Sequence, residues 1–153
     1  MSLWPERLDA FRPRPYTPIR LTDLVFFYGT LMTGFERPGR SRIDTMLRPE
    51  GRGSIHATLF DLGIYPAAIP SADHCVRGEV HRMLDPETVL TQLDEVEGFR
   101  PGEPDASLYT RVETPVTFDD GHVAPAWAYF YNAPLGRAQR IESGDYLEYL
   151  KVK

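Results

Sequence analysis

The segment Asp85–Glu97 most constrains the fold, because it predicts a clearly bounded helix in a chain whose other periodic segments are mostly strand-like. Asp85 is a favoured N-cap, Pro86 suits the first helical position, and Gly98 suits the left-handed residue that follows a helix. One side of this helix is apolar: Val89, Leu90, Leu93 and Val96. A helix with one apolar side is buried against another layer of structure, so we expect it to cover one opening of a sheet.

The strand-like segments share apolar runs or period-two alternation: Leu24–Tyr28, Ile55–Leu62, Cys75–Met83, Tyr109–Phe118 and His122–Tyr131. The third segment alternates cleanly between two faces: Val76, Gly78 and Val80 against Arg77, Glu79 and His81. Asp119-Asp120-Gly121 predicts a hairpin between the last two strands. Pro115 and Pro125 require edge positions or bulges there, because proline cannot donate a ladder hydrogen bond.

The order of elements predicts the fold class. Short helices are expected at Pro38–Leu47, with Ile43, Met46 and Leu47 on one side, and at Gly144–Leu150. Five or six strands with a few short helices predict a single α+β domain with a curled, mixed, barrel-like sheet. Residues 1–23, rich in proline and arginine, are expected to form an N-terminal arm, with the domain in residues 24–153.

Composition excludes several classes of function. A length of 153 residues fits one domain, and a net charge of -5 argues against sequence-independent nucleic-acid binding. No apolar run approaches the ~20 residues that span a membrane. The single cysteine, Cys75, cannot form an internal disulfide, which together with the lack of a secretory signal favours the cytoplasm. The histidines and Cys75 lack metal-ligand spacing, so neither a metal nor another cofactor is expected.

Glu97 is the first candidate for catalysis. It follows Leu93 by four residues and therefore shares the inward side of the helix. Burial and the negative helix C-terminus both raise a carboxyl pKa, which would suit a proton acceptor near neutral pH. The alternative is that Glu97 lies at a frayed helix end and points to water. Asp94 is either a second site carboxylate or a solvated or capping residue.

A glycine turn after the first strand is the second candidate. Tyr28-Gly29-Thr30-Leu31 would present successive backbone N–H groups that can hold a carboxylate or a developing oxyanion. The turn lacks the glycine and lysine pattern of a phosphate-binding loop. The alternative is an ordinary turn with no bound ligand.

Three short motifs in order identify a family resemblance. They are Tyr28-Gly29-Thr30-Leu31, Leu93-Asp94-x-x-Glu97-Gly98-Phe99 and Tyr109-x-Arg111, with a tail of Gly144-Asp145-Tyr146. Over about residues 24–150 the chain resembles the gamma-glutamylcyclotransferase-like (AIG2-like) family. The resemblance implies a compact α+β barrel with a cavity between the turn and the glutamate. It also implies cyclisation of a gamma-glutamyl compound to 5-oxoproline with release of a free amine.

The resemblance also implies roles for individual residues. Glu97 would be the general acid and base, and the Tyr28–Leu31 turn would bind the substrate. Tyr109 would orient the substrate or Glu97, and Tyr131 would line the same cavity. The alternative for both tyrosines is a structural place in the core.

Two features depart from the family pattern. Arg100–Ser107 is an enlarged loop that is expected to be mobile and to shape one wall of the cavity. A run of arginines has no counterpart that we can place: Arg37, Arg40, Arg42, Arg48 and Arg52. It would face either an anionic part of the substrate or solvent.

Three functions therefore stay open. The first is a cyclotransferase acting on a small gamma-glutamyl amine or peptide. The second is a non-catalytic ligand-binding module on the same fold, because a fold alone does not determine function. The third is an interaction protein that uses the Pro/Arg-rich arm as a peptide ligand. Within the enzyme class, the alternative is removal of a gamma-glutamyl protecting group from a biosynthetic amine. The residues do not distinguish a monomer from a homodimer.

Overall fold

The protein is described by a computed structural model that covers residues 22–153. Six strands are present: β1 (Leu24–Phe27), β2 (Leu47–Asp61), β3 (Pro66–Met83), β4 (Tyr109–Phe118), β5 (Val123–Tyr131) and β6 (Gln139–Arg140). Three α-helices accompany them: α1 (Pro38–Ser41), α2 (Pro86–Glu97) and α3 (Tyr146–Val152). Two 3₁₀ turns lie at Asp44–Met46 and Pro104–Ala106. The predicted N-terminal arm falls, except for its last two residues, outside the described residues.

The sheet closes into a five-stranded barrel. Its strand order is β3-β1-β5-β4-β2-β6, and a further pairing of β2 with β3 joins the ends of the first five strands. The β1–β5 pair is parallel, with Val25 beside Trp127, and the other pairs are antiparallel. The predicted α+β class with a mixed, barrel-like sheet is therefore confirmed. None of the helices in residues 22–153 is both long and apolar enough to cross a membrane.

The long β2–β3 hairpin begins earlier than the sequence pattern predicts. The two strands were expected to start at Ile55 and Cys75, but they start at Leu47 and Pro66 and pair along nearly their whole length. The ladder shifts register between Pro49 and Gly51 and again after His56. The parts that the pattern missed, Leu47–Ser54 and Pro66–His74, are rich in polar residues, glycine and proline, so pairing with the opposite strand makes them strands.

One residue on the expected polar face of β3 is buried. His81 is only 1% exposed, and its ring lies 5.4 Å from the ring of Phe27. The segment after β1 covers this side of the sheet, as the guanidinium of Arg40 over Phe27 shows. The alternation placed His81 on this face, but periodicity cannot reveal that another segment packs over it.

Helix α2 has the ends that the sequence predicts. The carboxylate of Asp85 accepts hydrogen bonds from the backbone N–H and the hydroxyl of Thr88. Gly98 has a φ of 67°, the left-handed conformation that closes a helix. The apolar stripe packs into the core as expected, with Val89, Leu90 and Leu93 buried.

The shorter elements differ from prediction at their ends. The expected helix Pro38–Leu47 is divided into α1 and a 3₁₀ turn, and its last residue opens β2. The closing helix starts at Tyr146 rather than Gly144, because Asp145 caps it by accepting from the N–H groups of Leu147 and Glu148. The predicted β4–β5 hairpin is present, and its two prolines lie opposite each other in the register.

Candidate active site

One open cavity lies beside the end of β1. Its wall is formed by residues from the turn after β1, from α2, from β4 and β5 and from the chain before β3: Phe26, Phe27, Tyr28, Gly29, Thr30, Leu31, Arg37, Tyr65, Pro66, Val96, Glu97, Leu108, Tyr109 and Tyr129. The structure thus brings the Tyr28–Leu31 turn and Glu97 to the same cavity. Their chemical roles stay predictions at this point.

The turn is shaped by the close approach of β3. A Cβ atom added at Gly29 would lie 2.8 Å from Cγ of Pro66, so a side chain there would collide with the start of that strand. The N–H of Met32 donates to the carbonyl of Gly29 at 3.0 Å and closes the turn. Within residues 22–153, the N–H groups of Thr30 and Leu31 have no acceptor, and both residues form part of the cavity wall.

Side chains from two directions hold the turn in place. Nη1 of Arg40 donates to the carbonyl of Leu31 at 2.9 Å. On the other side, Oε1 of Glu79 accepts from the backbone N–H of Thr33 at 2.9 Å and from its hydroxyl at 3.1 Å. His81 Nε2 bonds the same oxygen at 3.0 Å. Burial alone would raise the pKa of Glu79, but the bonds from His81 and Thr33 outweigh it and lower that pKa.

Glu97 lies at the last position of α2, where its partly buried side chain forms part of the cavity wall. Loss of surrounding water raises the pKa of this carboxyl to about 7, although the nearby positive charge of Arg37 pulls it in the opposite direction. A carboxyl with this pKa can both accept and return a proton near neutral pH. The alternative of a frayed, fully solvated Glu97 is not what the structure shows.

Arg37 reaches the cavity because α1 packs closely against α2. A Cβ atom at Gly39 would lie 2.6 Å from Cγ2 of Val96, the neighbour of Glu97, so only glycine permits this approach. Nη1 of Arg37 then donates to the hydroxyl of Thr30 at 2.9 Å. The predicted arginine run is therefore divided: Arg37 lines the cavity and Arg40 is buried beneath the turn, while Arg42 and Arg48 are exposed.

Asp94 is a structural anchor rather than a second site carboxylate. Its two oxygens accept from Nε and Nη2 of Arg111 at 2.8 and 3.2 Å. The hydroxyl of Tyr129 donates to Asp94 at 2.6 Å. The guanidinium of Arg111 also lies 4.7 Å from the ring of Trp127. Neither sequence interpretation of Asp94, as a solvated or capping residue or as a second site carboxylate, predicted this partly buried pairing.

The tyrosines divide differently from the sequence expectation. Tyr109 lines the cavity, and its hydroxyl donates to the carbonyl of Pro66 at 3.2 Å. Burial raises the pKa of Tyr109, and the nearby carboxylate of Glu97 raises it further. Tyr131 packs against the ring of Tyr109 at 5.3 Å, outside the residues that line the cavity, so its place in the site stays a prediction. Tyr129, two positions earlier on the same face of β5, lines the cavity, and alternation alone could not separate the two tyrosines.

The enlarged loop lies beside the cavity without forming its wall. None of the residues from Arg100 to Ser107 lines it, and only the following Leu108 does. The loop is closed by the hydroxyl of Ser107, which accepts from the N–H of Arg100 at 2.7 Å. The amide of Asn132 also donates to the carbonyls of Pro104 and Ser107. Its mobility and its effect on substrate choice stay predictions.

Other chemistry has weaker support. Among residues 22–153, no cluster of three potential metal ligands is present. Cys75 is exposed, and its sulfur lies 4.0 Å from Nδ1 of His56, its cross-strand neighbour. His74 is directed elsewhere, with Nδ1 bonded to the hydroxyl of Thr58. Cys75 and His56 lie on β3 and β2, and neither lines the cavity.

The fold and cavity define the class of protein, and solved structures of the same fold support it. The structure superposes with a TM-score of 0.61 on an uncharacterized protein from Pyrococcus horikoshii, over 86% of this chain and 95% of that one at 23% identity. An AIG2-like protein from mouse matches with a TM-score of 0.55 over 73% of this chain and 79% of the other, at 24% identity. The fold is thus the small α+β barrel that both of these proteins share.

Sequence comparison narrows the class to a family. Residues 25–148 match the family described as "Gamma-glutamyl cyclotransferase, AIG2-like". The chain is 35% identical to the gamma-glutamylcyclotransferase family protein YtfP of Escherichia coli over 125 residues, covering 81% of this chain and 96% of YtfP. The solution structure of E. coli ytfP matches with a TM-score of 0.58 at 32% identity, over 82% of this chain and 97% of that one. The chain belongs to the gamma-glutamyl cyclotransferase, AIG2-like family.

Proposed function

We propose that the protein is a gamma-glutamylcyclotransferase that converts a gamma-glutamyl amine or peptide into 5-oxoproline and a free amine. The observation that carries this proposal is a carboxyl with a pKa of about 7, that of Glu97, in the same cavity as Thr30 and Leu31, whose N–H groups have no acceptor within residues 22–153. Family membership supports the same reaction class.

The reaction begins with the substrate's own α-amine. It attacks the γ-carbonyl carbon, a C–N bond forms, and a five-membered ring closes over a tetrahedral oxyanion. The nucleophile is tethered to the carbonyl within the substrate, so no enzyme nucleophile is needed. Holding the glutamyl group of the substrate in a bent conformation supplies much of the rate enhancement. The N–H groups of the Tyr28–Leu31 turn hold the glutamyl part and stabilise the oxyanion.

Glu97 carries the proton between the two nitrogen atoms. Its carboxylate accepts the proton from the attacking amine and then donates it to the leaving nitrogen, whose bond to the γ-carbon breaks. The proton count balances within one turnover, since the carboxyl ends as it began. A pKa of about 7 suits both halves of this task, because neither ionisation state is strongly disfavoured at neutral pH.

Tyr109 and Tyr28 confine the site without moving protons. Burial raises the pKa of both hydroxyls, so they stay protonated at neutral pH. The hydroxyl of Tyr28 donates to the carbonyl of Tyr129 at 2.6 Å and accepts from the N–H of Ala68. With their hydroxyls occupied, these rings act as walls, and the turn's contribution from Tyr28 is its backbone.

The test is incubation of the protein with a panel of gamma-glutamyl amines and dipeptides. Mass spectrometry would follow 5-oxoproline and the released amine, which must appear in equal amounts. Release of glutamate instead of 5-oxoproline would indicate hydrolysis of a gamma-glutamyl group and overturn the cyclisation. Binding of the compounds without release of any product would support the binding-module alternative.

A further inference from the structure

Arg37 is a charged side chain in the cavity that the proposed reaction does not use. Its guanidinium is held on one side by the hydroxyl of Thr30, at 2.9 Å from Nη1. Its carbon atom lies 5.9 Å from the centre of the Tyr65 ring, which forms part of the same wall. The group is therefore oriented before any ligand enters.

The backbone of Arg37 is fixed as firmly as its side chain. Its carbonyl accepts from the N–H groups of Arg40 at 2.9 Å and Ser41 at 3.1 Å, at the start of α1. The close packing of Gly39 on Val96 sets α1 directly against the end of α2. Arg37 thus belongs to the rigid wall rather than to a solvated arm.

Within residues 22–153, no carboxylate forms an ion pair with Arg37, whose side chain lines the cavity. Several arginines form ion pairs with carboxylates of this chain: Arg40, Arg77, Arg82, Arg100 and Arg111. Across residues 22–153, Arg37 forms none. Glu97 is near enough for the charge of Arg37 to lower its pKa, yet the two make no ion pair. A guanidinium has five N–H donors, and the bond to Thr30 uses one of them.

We infer that Arg37 is a specificity residue that binds a carboxylate of the substrate. This inference rests on the proposed function and names the chemical group that its substrate must present. A fixed guanidinium fork with free donors matches a carboxylate in a two-bond geometry, which an ammonium group cannot reproduce. The carboxylate belongs either to the glutamyl α-carbon or to an amino acid as leaving group.

Two substrates distinguish the glutamyl carboxylate from a carboxylate on the leaving group. γ-Glutamylalanine carries a carboxylate on its leaving group, whereas γ-glutamylethylamide has a neutral leaving group, and both carry the glutamyl α-carboxylate. We would measure Kd for each compound by NMR titration in the Glu97→Gln variant, where turnover does not interfere. We would then measure KM and kcat with Glu97 intact.

Arg37→Gln should weaken binding by about 10–100-fold, the size of a lost charge-assisted hydrogen-bond pair. A loss confined to γ-glutamylalanine assigns Arg37 to the leaving-group carboxylate, and an equal loss for both compounds assigns it to the glutamyl carboxylate. Arg42→Gln is the matched control, since Arg42 follows α1 directly but is exposed and outside the cavity. Arg37→Lys should lose less than Arg37→Gln, because it keeps the charge but not the fork.

Unchanged Kd for both compounds in Arg37→Gln would overturn the inference, as would an equal loss in the Arg42→Gln control. A shift of the pH–rate midpoint without a change in Kd would also overturn it, because Arg37 would then act only on the titration of Glu97. If Arg37→Gln fails to fold, Arg37→Lys decides by the same Kd criterion. The binding measurement needs no turnover, so a protein that binds through Arg37 but forms no 5-oxoproline would contradict only the proposed function.

Discussion

Asp94 and Glu97 are carboxylates one turn apart on α2, but their surroundings give them opposite tasks. Asp94 is 13% exposed and is bound by Arg111 and by the hydroxyl of Tyr129. Glu97 also lies among protein atoms, but it has no ion-pair partner within residues 22–153, and burial raises its pKa to about 7. Asp94 is held by its partners, whereas burial makes Glu97 able to exchange a proton near neutral pH.

In the proposed mechanism, one helix supports both stability and chemistry. The ion pair at Asp94 ties α2 to β4 through Arg111 and to β5 through Tyr129. This attachment fixes the last turn of the helix, and thereby the position of Glu97 in the cavity. Preorganised groups of this kind contribute to catalysis because they need no rearrangement during the reaction.

The largest expected effect separates the two carboxylates by activity. Glu97→Gln should lower kcat by about 10²–10⁴-fold, the usual contribution of a positioned general base, because an amide cannot accept the proton. Affinity for the substrate should change little, since the turn's N–H groups are proposed to hold the glutamyl part. Steady-state kinetics with an active gamma-glutamyl substrate would measure this.

Glu95→Gln is the matched control for Glu97, since Glu95 lies on the same helix but is exposed and outside the cavity. It should keep full activity. If Glu97→Gln retained the parent's kcat, Glu97 would have no place in the mechanism, and the proposed difference in function between Glu97 and Asp94 would be wrong.

The second prediction concerns the contribution of Asp94 to stability. Arg111→Ala leaves the partly buried Asp94 without its cation and should lower the free energy of unfolding by about 2–4 kcal/mol. Urea denaturation would measure the loss. Arg137→Ala, at an exposed arginine, is the control and should stay within about 0.5 kcal/mol of the parent.

A double variant sharpens this test. Arg111→Ala with Asp94→Asn should recover part of the lost stability, because the unpaired buried charge is then removed. A double variant as unstable as the sum of the two single variants would show that the pair is not coupled.

The third prediction concerns the turn that faces Glu97. Gly29→Ala should displace the turn from Pro66, because the added Cβ would lie 2.8 Å from its ring. We expect a loss of about 1–3 kcal/mol in unfolding free energy from overpacking. We also expect kcat/KM to fall by about 10-fold or more, since small displacements of positioning groups are costly.

Gly102→Ala is the control for this change, because Gly102 has no heavy atom within 4 Å of an added Cβ. It should leave both quantities close to those of the parent. Normal kinetics in a well-folded Gly29→Ala protein would show that the turn does not bind the substrate.

The smallest expected effect is the pH dependence that the raised pKa of Glu97 implies. Below about pH 4.5 the carboxyl is protonated in both folded and unfolded chains, so it does not affect their balance. Between about pH 4.5 and 7 the folded protein binds the proton more tightly, so stability falls as the pH rises.

Glu97→Gln should therefore be more stable than the parent by about 1–3 kcal/mol at pH 8, with no difference below pH 4. Thermal unfolding at both pH values would measure the two differences. The same titration predicts a pH–rate profile that ascends with a midpoint near the pKa of about 7. A midpoint near the usual carboxyl value, with no gain at pH 8, would show that Glu97 is solvated like an ordinary surface glutamate.

Local sequence signals predicted the elements whose reasons are themselves local. The cap at Asp85, the left-handed Gly98 and the apolar stripe between them define α2 without reference to the rest of the chain. The same holds for the β4–β5 hairpin around Gly121. The early start of β2 and β3 was not predictable in this way, because pairing between the two strands extends them through bulges and polar residues.

The candidate site likewise has parts that local sequence signals predicted and parts that depend on tertiary packing. The sequence supplied the carboxyl of Glu97 and the turn at Gly29 as candidates, and family resemblance joined them. It did not distinguish Tyr129 from Tyr131, because both lie on one face of β5. It also did not separate Arg37 from the neighbouring arginines, since their different burial follows from how the segment after β1 packs.

The sequence by itself determined the class of fold, the ends of its main helix and the chemical groups available for a reaction. These depend on backbone preferences and on side-chain periodicity, which act over a few residues. Only the tertiary structure decided which groups meet: Asp94 with Arg111, Gly29 with Pro66, and Arg37 with Thr30. The ionisation of Glu97 was decided there as well, because a pKa depends on the water, charges and dipoles that chain folding brings around the group.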